Sequence, residues 1–317
     1  MKNSSFSIIV PTFNVQNYVV KALDSIFMQD YDNFEVIIVD DTSTDGTVQK
    51  IEEYIACHQE NNSRRIKFIK CEVNGGPSVV REEGLKLAEN EWILFLDGDD
   101  WYNKELFQKL NEVIQNNPDI KIIEFNFDFI DECMQSKKTA YRNRGVSGIR
   151  KSAEENIMTV TAVWNKCFKK DFLESINLTS IPRTILDDAP LTICALLAAQ
   201  YFYWLDFIGY DYVQRNNSLS KKLSMYFCAF HSVIFIKKEL ERLKIYDEIQ
   251  FTMISVYLLC CNLHRYHDSL EYKNFYNECR KVFRSFELKK DIKTPIVYNY
   301  KLYKRVRFYP YWLFKLR

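Results

Sequence analysis

The chain has 317 residues, 47% of them hydrophobic, which is enough for one large domain or two closely joined ones with a buried core. Its formal net charge of +1 gives no support to nucleic-acid binding as the main function. Its 9 cysteines include no C-x-x-C pair, which favours reduced thiols in a cytosolic protein over a disulfide framework or a zinc site.

Strand-like and helical patterns alternate along the first hundred residues. Short apolar runs predict strands at Phe6–Val10, Glu35–Val39, Arg65–Ile69 and Trp92–Leu96. Helical spacing predicts helices at Asn17–Phe27 and Thr47–Cys57, and a third that ends at Leu87. Strands that are apolar on both faces and alternate with helices indicate a parallel sheet covered on both sides. Ligands bind such sheets beyond the carboxyl ends of the strands, which makes three loops candidates for the site: Pro11–Asn14, Asp40–Gly46 and Asp97–Asp100.

The pattern changes after Asn103. A helix is predicted at Glu105–Gln115 and a strand at Ile120–Ile130. The polar, basic stretch Lys137–Lys151 is interpreted as a mobile connection, and the stretch from Leu223 to about residue 286 is predicted to be largely helical. The chain is therefore expected to be an α/β protein with a helical C-terminal extension.

Acidic residues follow the fourth predicted strand directly, in the run Asp97-Gly98-Asp99-Asp100. In an extended chain Asp97 and Asp99 would point to one side and Asp100 to the other. Two carboxylates that converge at a sheet edge suit a hard divalent cation, which can in turn bind a diphosphate. D-x-D alone is a weak signal, but its place after a buried strand favours a metal site over three solvated loop acids.

The run Asp40–Gly46 follows the second predicted strand and offers acceptors for the N–H groups of a nucleotide base. Thr44 or Asp45 also suits the N-cap of the next helix, so a capped turn is the simpler interpretation of this half of the run. Asp41 is the stronger binding candidate because it lies where a doubly wound sheet binds its ligand.

Four motifs occur in order within the first 110 residues or so: IIVPTFN, VDDTSTDGT, NGGPSVVREEGL and ILFLDGDD. Together they resemble the family 2 glycosyltransferases, and the resemblance resumes more weakly at Val163–Leu173, Leu186–Leu191 and Tyr210–Ser220. It implies the GT-A fold, a Rossmann-like mixed sheet flanked by helices. It also implies a GT-A domain at residues 1–220, with a nucleotide-sugar-binding half (1–102) and an acceptor half (103–220), followed by a mostly helical extension at 221–317.

The resemblance also implies roles for the matching residues. The donor and its nucleotide would be bound by Pro11, Thr12, Phe13, Asn14, Asp40, Asp41, Arg81, Asp97 and Gly98. Asp41 would accept from uracil N3, and Asp99 would coordinate Mn²⁺ or Mg²⁺ at the diphosphate, with Asp97 as a second candidate ligand. Asp188 matches the catalytic aspartate. The acceptor side would contain Trp164, Lys166 and Asp187.

Two positions depart from the family pattern. Glu82 stands where the family usually has Asn, which leaves the contacts of the donor sugar open. Asp187 stands where the family has Glu and is one methylene shorter, so any contact that it makes with an acceptor must differ in reach.

The implied activity is an inverting, metal-assisted transfer of a hexose or N-acetylhexosamine from a UDP-sugar to a glycan acceptor. That acceptor would be a lipid-linked, lipooligosaccharide or surface-polysaccharide precursor, and Asp188 would take the proton of its hydroxyl group. The alternative role of Asp188 is a helix N-cap before Pro190, which is compatible with catalysis. Two other functions stay open: a transferase acting on a protein or a teichoic-acid-like polymer, and an inactive scaffold that binds nucleotide sugars.

The location is expected to be cytoplasmic and peripheral at the inner face of the cell membrane. The N-terminus has no signal-peptide pattern, and the apolar stretches near Leu191–Ala199 and Met253–Cys261 are shorter than the roughly 20 residues that span a bilayer. The tail Lys301–Arg317 has no acidic residue and interleaves bases with aromatic rings, which suits an anionic membrane surface. The alternative is a terminal segment packed on the body of the protein, with its bases solvated.

Three other patterns carry less weight. His264 and His267 have helical spacing but no acidic or cysteine partner close in sequence, so a metal pair is the weaker interpretation. Asn74-Gly75-Gly76 lacks the Lys-Ser/Thr of a P-loop, which argues against nucleoside-triphosphate hydrolysis. The first strand–helix turn lacks the G-x-G-x-x-G pattern of dinucleotide enzymes.

Overall fold

A computed structural model describes residues 3–58, 65–131, 137–139, 146–152, 161–177, 188–215, 226–247, 251 and 254. The chain divides into two compact units, Met1–Lys222 and Leu223–Arg317. Three of the sequence expectations lie outside the described residues: the role of Asp187, the pair His264 and His267, and the tail Lys301–Arg317. Most of the extension predicted to be helical lies outside them as well.

The first unit combines strands and helices. Its described strands are β1 (Phe6–Thr12), β2 (Phe34–Asp40), β3 (Arg65–Lys70), β4 (Trp92–Phe95), β5 (Trp101–Tyr102), β6 (Ile122–Asp131), β7 (Lys137–Thr139), β8 (Gly148–Lys151), β9 (Lys166–Lys169) and β10 (Tyr201–Gln214). Its described helices are α1 (Val19–Phe27), α2 (Thr47–His58), α3 (Pro77–Leu87), α4 (Leu106–Asn116), α5 (Lys170–Ile176) and α6 (Asp188–Ala199).

The strands form one mixed sheet in the order β3-β2-β1-β4-β9-β6-β10-β5, with β7 beside β6 and β8 beside β10. β1 runs parallel to both β2 and β4, and β2 runs parallel to β3. β9 is antiparallel to both β4 and β6, and β10 is parallel to β6. The parallel half matches the predicted alternation of strands and helices, and the antiparallel β9 is what makes the sheet mixed.

The parallel strands are held by burial on both faces. Every residue of β1, β2 and β4 is buried, as expected for mainly apolar strands that are covered on both faces. α1 buries Val19, Ala22, Leu23 and Ile26, one face at helical spacing. α3 approaches β1 closely at Gly84, where an added Cβ would lie 2.4 Å from Cγ2 of Ile9. Larger side chains at position 84 would therefore separate the helix from the sheet.

Strand register brings the three candidate loops to one edge of the sheet. Thr12, the last residue of β1, pairs with Asp40, the last residue of β2. On the other side of β1, Ile9 pairs with Phe95, the last residue of β4. Because these strands run parallel, the segments that follow them all leave from their carboxyl ends.

The interpretation of Lys137–Lys151 as a mobile connection is wrong at both ends. Residues Lys137–Thr139 pair with β6, and Gly148–Lys151 pair with β10. Short edge strands are held by backbone hydrogen bonds to a neighbour and need no apolar repeat of their own, so composition does not reveal them. Residues 140–145 lie outside the described part of the chain.

The second unit contains helix α7 (Tyr226–Arg242), near the start of the stretch predicted to be helical. Val233, Ile236 and Leu240 are buried at helical spacing along it. None of the helices in the described part of the chain combines the length and apolar character needed to cross a membrane.

Candidate active site

The acidic run after β4 turns sharply, so the extended geometry expected from the sequence does not hold. The N–H of Asp100 donates to the carbonyl of Asp97 over 3.0 Å and closes the turn. The N–H of Gly98 donates to the carbonyl of Pro11 over 3.2 Å, and an added Cβ at Gly98 would lie 3.1 Å from that same oxygen. The absence of a side chain at Gly98 therefore lets the run approach β1 closely, and each of the three carboxylates has a different partner.

Asp100 is an internal anchor. Its side chain is buried and accepts two hydrogen bonds of 2.7 Å from β10, one from the hydroxyl of Tyr210 and one from the N–H of Val213. The Tyr210 oxygen also accepts from the N–H of Asp97 over 3.2 Å. Burial raises the pKa of the Asp100 carboxyl well above its ordinary value, and the nearby carboxylates of Asp99 and Asp97 raise it further. Asp100 therefore ties the acidic run to β10.

Trp164 supports the same strand from the core. Its ring stacks on Tyr210 with centroids 4.6 Å apart and on Tyr212 with centroids 5.3 Å apart. The ring of Phe127 is nearly perpendicular to that of Trp164, with centroids 4.7 Å apart. Trp164 is buried, so its described contacts hold Tyr210 in place behind the acidic run.

Lys166, the second residue expected on the acceptor side, is completely buried in β9. Its ammonium group donates to the carbonyl of Ala162 over 2.8 Å and to Oδ1 of Asn165 over 2.9 Å. Its charge also lowers the pKa of Asp188. Lys166 therefore acts on the site through electrostatics.

Arg81 links two of the expected catalytic and donor residues. It is buried in α3, and its Nη2 donates to Oδ1 of Asp97 over 2.7 Å. Its Nη1 donates to Oδ1 of Asp188, the first residue of α6. A planar guanidinium with several donors in fixed positions is well suited to hold two carboxylates at once. The loop after β4 and the start of α6 are thereby joined at one side chain.

Asp188 lies in an environment that keeps its carboxylate basic. Burial raises its pKa above the ordinary value, the nearby carboxylate of Asp97 raises it too, and Arg81 is the main group that lowers it. Its Oδ2 accepts from the N–H of Val163 over 3.4 Å. An aspartate in the first turn of a helix is also favoured by the helix dipole, so the structural role of Asp188 is compatible with its use as a base.

Asp99 pairs with an arginine that the sequence analysis did not single out. Nη2 of Arg215, the residue after β10, forms an ion pair with Oδ2 of Asp99. The Arg215 guanidinium also lies 5.4 Å from the ring centroid of Tyr18. Burial raises the pKa of Asp99 to about 6, the nearby Asp97 carboxylate adds to the effect, and Arg215 opposes it.

The acidic run contains two candidate ligands for a metal ion. Asp97 and Asp99 offer carboxylate oxygens, the ligands that Mg²⁺ and Mn²⁺ prefer, and they repel each other electrostatically. In the described ranges no group of three or more His, Cys, Asp or Glu side chains is arranged around one position for a metal ion. Asp97 and Asp99 are therefore two carboxylates available to a cation that would take its remaining ligands from a diphosphate and water, as Mg²⁺ commonly does.

A second part of the site lies around Asp41, which is buried after β2. Its two carboxylate oxygens accept from the N–H groups of Gly75 and Gly76 over 2.8 and 2.9 Å. The side chain of Asn74 donates to the Asp41 carbonyl over 3.0 Å. Gly76 has a φ of 84°, a conformation that favours glycine. The Asn74-Gly75-Gly76 turn is thus folded around Asp41.

The loop after β1 is fixed by hydrogen bonds to the loop after β2. The Thr12 hydroxyl donates to Oδ1 of Asp40 over 3.1 Å, and the N–H of Asn14 donates to the Ser43 hydroxyl over 3.0 Å. Oδ1 of Asn14 accepts from the N–H of Thr44 over 2.8 Å. Asn14 has a φ of 51°, and Phe13 beside it is 42% exposed. These bonds leave the Phe13 ring accessible at the same edge of the sheet.

The contacts that Tyr210, Arg215 and Asp100 make in the site were not predicted from the sequence. The weak resemblance at Tyr210–Ser220 was the one signal that pointed to this segment. It carried no residue role, because the partners of Tyr210 and Arg215 are about 110 positions earlier in the chain.

The sequence is similar to that of known proteins. The family model described as glycosyl transferase family 2 matches residues 7–176. The chain belongs to this family. It is 40% identical over 123 residues to the poly(ribitol-phosphate) β-N-acetylglucosaminyltransferase TarS of Staphylococcus aureus, a match that covers 38% of this chain and 20% of TarS. It is 26% identical over 224 residues to the uncharacterized glycosyltransferase EpsJ of Bacillus subtilis, covering 68% of this chain and 62% of EpsJ. The family 2 chain thus spans less than two thirds of either relative.

Solved structures of two named proteins are similar to this chain in fold. The crystal structure of S. aureus TarS 1–349 in complex with UDP matches 86% of this chain and 74% of that chain, with a TM-score of 0.64 and 23% identity. The mannosyltransferase PcManGT of Pyrobaculum calidifontis, in complex with GDP-Man and Mn²⁺, matches 99% of this chain and 84% of that chain, with a TM-score of 0.55 and 16% identity. These similarities confirm the expected GT-A-like α/β fold.

Proposed function

We propose that the protein is an inverting glycosyltransferase that moves a hexose or N-acetylhexosamine from a UDP-sugar to a glycan acceptor. The observation that carries the proposal is the double contact of Arg81 with Asp97 and Asp188. One guanidinium fixes the distance between a carboxylate of the acidic run and a carboxylate at the start of α6. A transferase needs such a fixed distance between its donor side and its base, because correct orientation of the reactants supplies much of the rate.

Uracil is the proposed base of the donor nucleotide. Each carboxylate oxygen of Asp41 can accept a further hydrogen bond beyond those from Gly75 and Gly76, so the group can receive uracil N3–H. The exposed ring of Phe13 offers an apolar face nearby. The crystal structures of TarS 1–349 include complexes with UDP and with UDP-GlcNAc, which supports this choice.

Mn²⁺ or Mg²⁺ held by Asp99, with Asp97 as a second candidate ligand, would offset the negative charge that grows on the departing diphosphate. The complex of PcManGT with GDP-Man and Mn²⁺ supports the use of a divalent cation at this fold. One oxygen of Asp97 accepts from Arg81. Asp97 would therefore both orient the Arg81 guanidinium and offer its other oxygen to the cation.

Asp188 is the proposed general base. Its carboxylate takes the proton of the acceptor hydroxyl while that oxygen attacks the anomeric carbon opposite the departing diphosphate, which inverts the configuration. Such help contributes roughly 10²–10⁴-fold to the rate. Arg81 holds one Asp188 oxygen and Val163 N–H approaches the other, which restricts the rotation of the carboxylate. Acceptance of a proton also reduces the charge on a buried carboxylate.

The proposed acceptor is a lipid-linked glycan or a surface-polysaccharide precursor. A teichoic-acid-like polymer is the second candidate, because the relative TarS is named for poly(ribitol-phosphate) and shares 40% identity over 123 residues. The proposed location is cytoplasmic and peripheral, because the basic, aromatic tail Lys301–Arg317 suits an anionic lipid surface.

The direct test is hydrolysis of UDP-, GDP- and TDP-sugars by the full chain, with Mn²⁺ and with EDTA. We expect cation-dependent release of UDP from one sugar, lost in Asp99→Asn. The matched control is Asp119→Asn, an exposed aspartate between α4 and β6, which should keep the activity. If no donor is hydrolysed and calorimetry detects no cation-dependent binding of any nucleotide sugar, the proposal is wrong. Binding without transfer to any offered acceptor would favour the scaffold function.

A further inference from the structure

The ion pair between Asp99 and Arg215 conflicts with the role proposed for Asp99. A divalent cation at Asp99 would lie close to the Arg215 guanidinium, and the two positive groups would repel each other strongly at that distance. Cation binding therefore favours a second state of Asp99, in which Arg215 has moved away. The question is where the Arg215 guanidinium goes in the second state.

Arg215 is poorly satisfied where it lies. Its Nε is buried and has no hydrogen-bond partner among the described residues, while Nη2 is held by Asp99. A buried donor without a partner is unfavourable. The ring of Tyr18, 5.4 Å from the guanidinium, adds a weak cation–π contact that does not fix direction. The side chain is thus held mainly by one carboxylate and has donors left for another anion.

A diphosphate is the anion that suits those donors. Its oxygens accept paired hydrogen bonds from a planar guanidinium, and such bonds are stronger than those to neutral acceptors. A donor diphosphate beside Asp99 would also lie within the same small region as Arg215, since Arg215 already contacts Asp99.

We infer that Arg215 is an exchangeable counter-ion: it neutralises Asp99 in the free enzyme, and it moves to the donor diphosphate when a divalent cation binds Asp99. This inference rests on the proposed function, because it needs a nucleoside-diphosphate donor and a cation at Asp99. It goes beyond that function by assigning a donor-binding role to Arg215, the residue that follows β10. It also makes tight cation binding depend on the diphosphate, since the free enzyme holds Arg215 in competition with the cation.

The exchange predicts two effects of opposite sign for Arg215→Gln. Without nucleotide, the variant should bind Mn²⁺ more tightly than the wild type, by roughly five- to tenfold, because the competing charge is removed. With saturating Mn²⁺, it should bind UDP more weakly, by roughly five- to tenfold, because the diphosphate loses a charged partner. A merely structural arginine would weaken both kinds of binding or neither.

The experiment measures free Mn²⁺ by electron paramagnetic resonance and UDP binding by calorimetry, on the full chain. Arg215→Lys keeps a positive charge without the fork geometry, so it should compete with Mn²⁺ like the wild type yet restore only part of the UDP affinity. The matched control is Arg150→Gln in β8, which pairs with the opposite end of β10 and whose guanidinium donates to the Val146 carbonyl. Circular dichroism and thermal unfolding establish that each variant is folded.

The outcomes separate the inference from the proposed function. If the wild type binds Mn²⁺ and UDP but Arg215→Gln leaves Mn²⁺ affinity unchanged or lower, the exchange is wrong and the proposed function stands. If neither protein binds Mn²⁺ with or without UDP, both the exchange and the metal-assisted part of the function fail. Tighter Mn²⁺ binding together with weaker UDP binding supports the exchange.

Discussion

The hydroxyl of Tyr210 donates a hydrogen bond of 2.7 Å to Oδ2 of Asp100, although the two residues are 110 positions apart. The same hydroxyl oxygen accepts from the N–H of Asp97. One side chain of β10 therefore bonds both ends of the acidic run. The conformation of this run in a family 2 glycosyltransferase depends on a strand far from its own motif.

Replacing Tyr210 by Phe should loosen the acidic run. The change leaves the ring stacked on Trp164 but removes one of the two hydrogen bonds that the buried Asp100 carboxyl accepts from β10, which costs about 1–3 kcal/mol of unfolding free energy. Calorimetry should also show weaker cation-dependent UDP binding. The control is Tyr54→Phe, which removes the hydrogen bond of 3.0 Å that the Tyr54 hydroxyl donates to Oδ1 of Asp24. It should lower stability in the same way and leave UDP affinity unchanged; an equal loss of UDP affinity in both variants would contradict the prediction.

Replacing Asp188 by Asn should remove the base and preserve the donor site. Sugar transfer is expected to fall roughly 10²–10⁴-fold, because the amide cannot take the proton of the acceptor hydroxyl. Binding of the UDP-sugar, measured by calorimetry, should change little. The control is Asp171→Asn, another aspartate in the first turn of a helix, α5, which should cost some stability and no transfer. Transfer that survives in Asp188→Asn would assign the base to a different residue.

The acid limb of the pH–rate profile should respond to Arg81. Burial raises the pKa of Asp188, so a base that must be ionised loses activity at a higher pH than an ordinary aspartate would as the pH falls. Arg81 lowers that pKa, and its removal in Arg81→Gln should therefore raise the pKa and move the acid limb to higher pH. The measurement is kcat/KM against pH, normalised to each variant's maximum.

Arg81→Lys is the companion variant for this profile, because it keeps the charge and should shift the limb less. Arg150→Gln serves as the control for loss of an arginine elsewhere and should leave the limb in place. A limb that stays fixed or moves to lower pH in Arg81→Gln would show that Asp188 does not limit the rate at acid pH.

The tail should bind anionic lipid. Substitution of six tail bases by Gln is expected to abolish sedimentation with phosphatidylglycerol vesicles, since each base near such a surface contributes about 1 kcal/mol. The six bases are Lys301, Lys304, Arg305, Arg307, Lys315 and Arg317.

The matched control for the tail removes the same number of bases from the stretch 137–151 and should still sediment. Those bases are Lys137, Lys138, Arg142, Arg144, Arg150 and Lys151. Equal binding to phosphatidylcholine vesicles, or insensitivity to salt, would exclude an electrostatic contact.

The sequence alone determined the parallel half of the sheet and the edge where the site lies. Strand and helix periods depend on residues within a few positions of each other, so β1, β2, β3 and β4 and the helices between them were predicted within a few residues of their bounds. The ordered motifs also singled out Arg81 and Asp97, and the weaker resemblance at Leu186–Leu191 singled out Asp188; the structure brings the three together at one guanidinium.

Only the tertiary structure decided how the acidic run is divided. Asp100 is bound to β10, Asp97 to Arg81 and Asp99 to Arg215, whereas an extended D-G-D-D run would place Asp97 and Asp99 together on one side. That division follows from the antiparallel β9 between β4 and β6, which sets β10 where Tyr210 and Arg215 reach the run. Contacts across 110 positions depend on strand order, and strand order is set by packing of the whole sheet, which no local period contains.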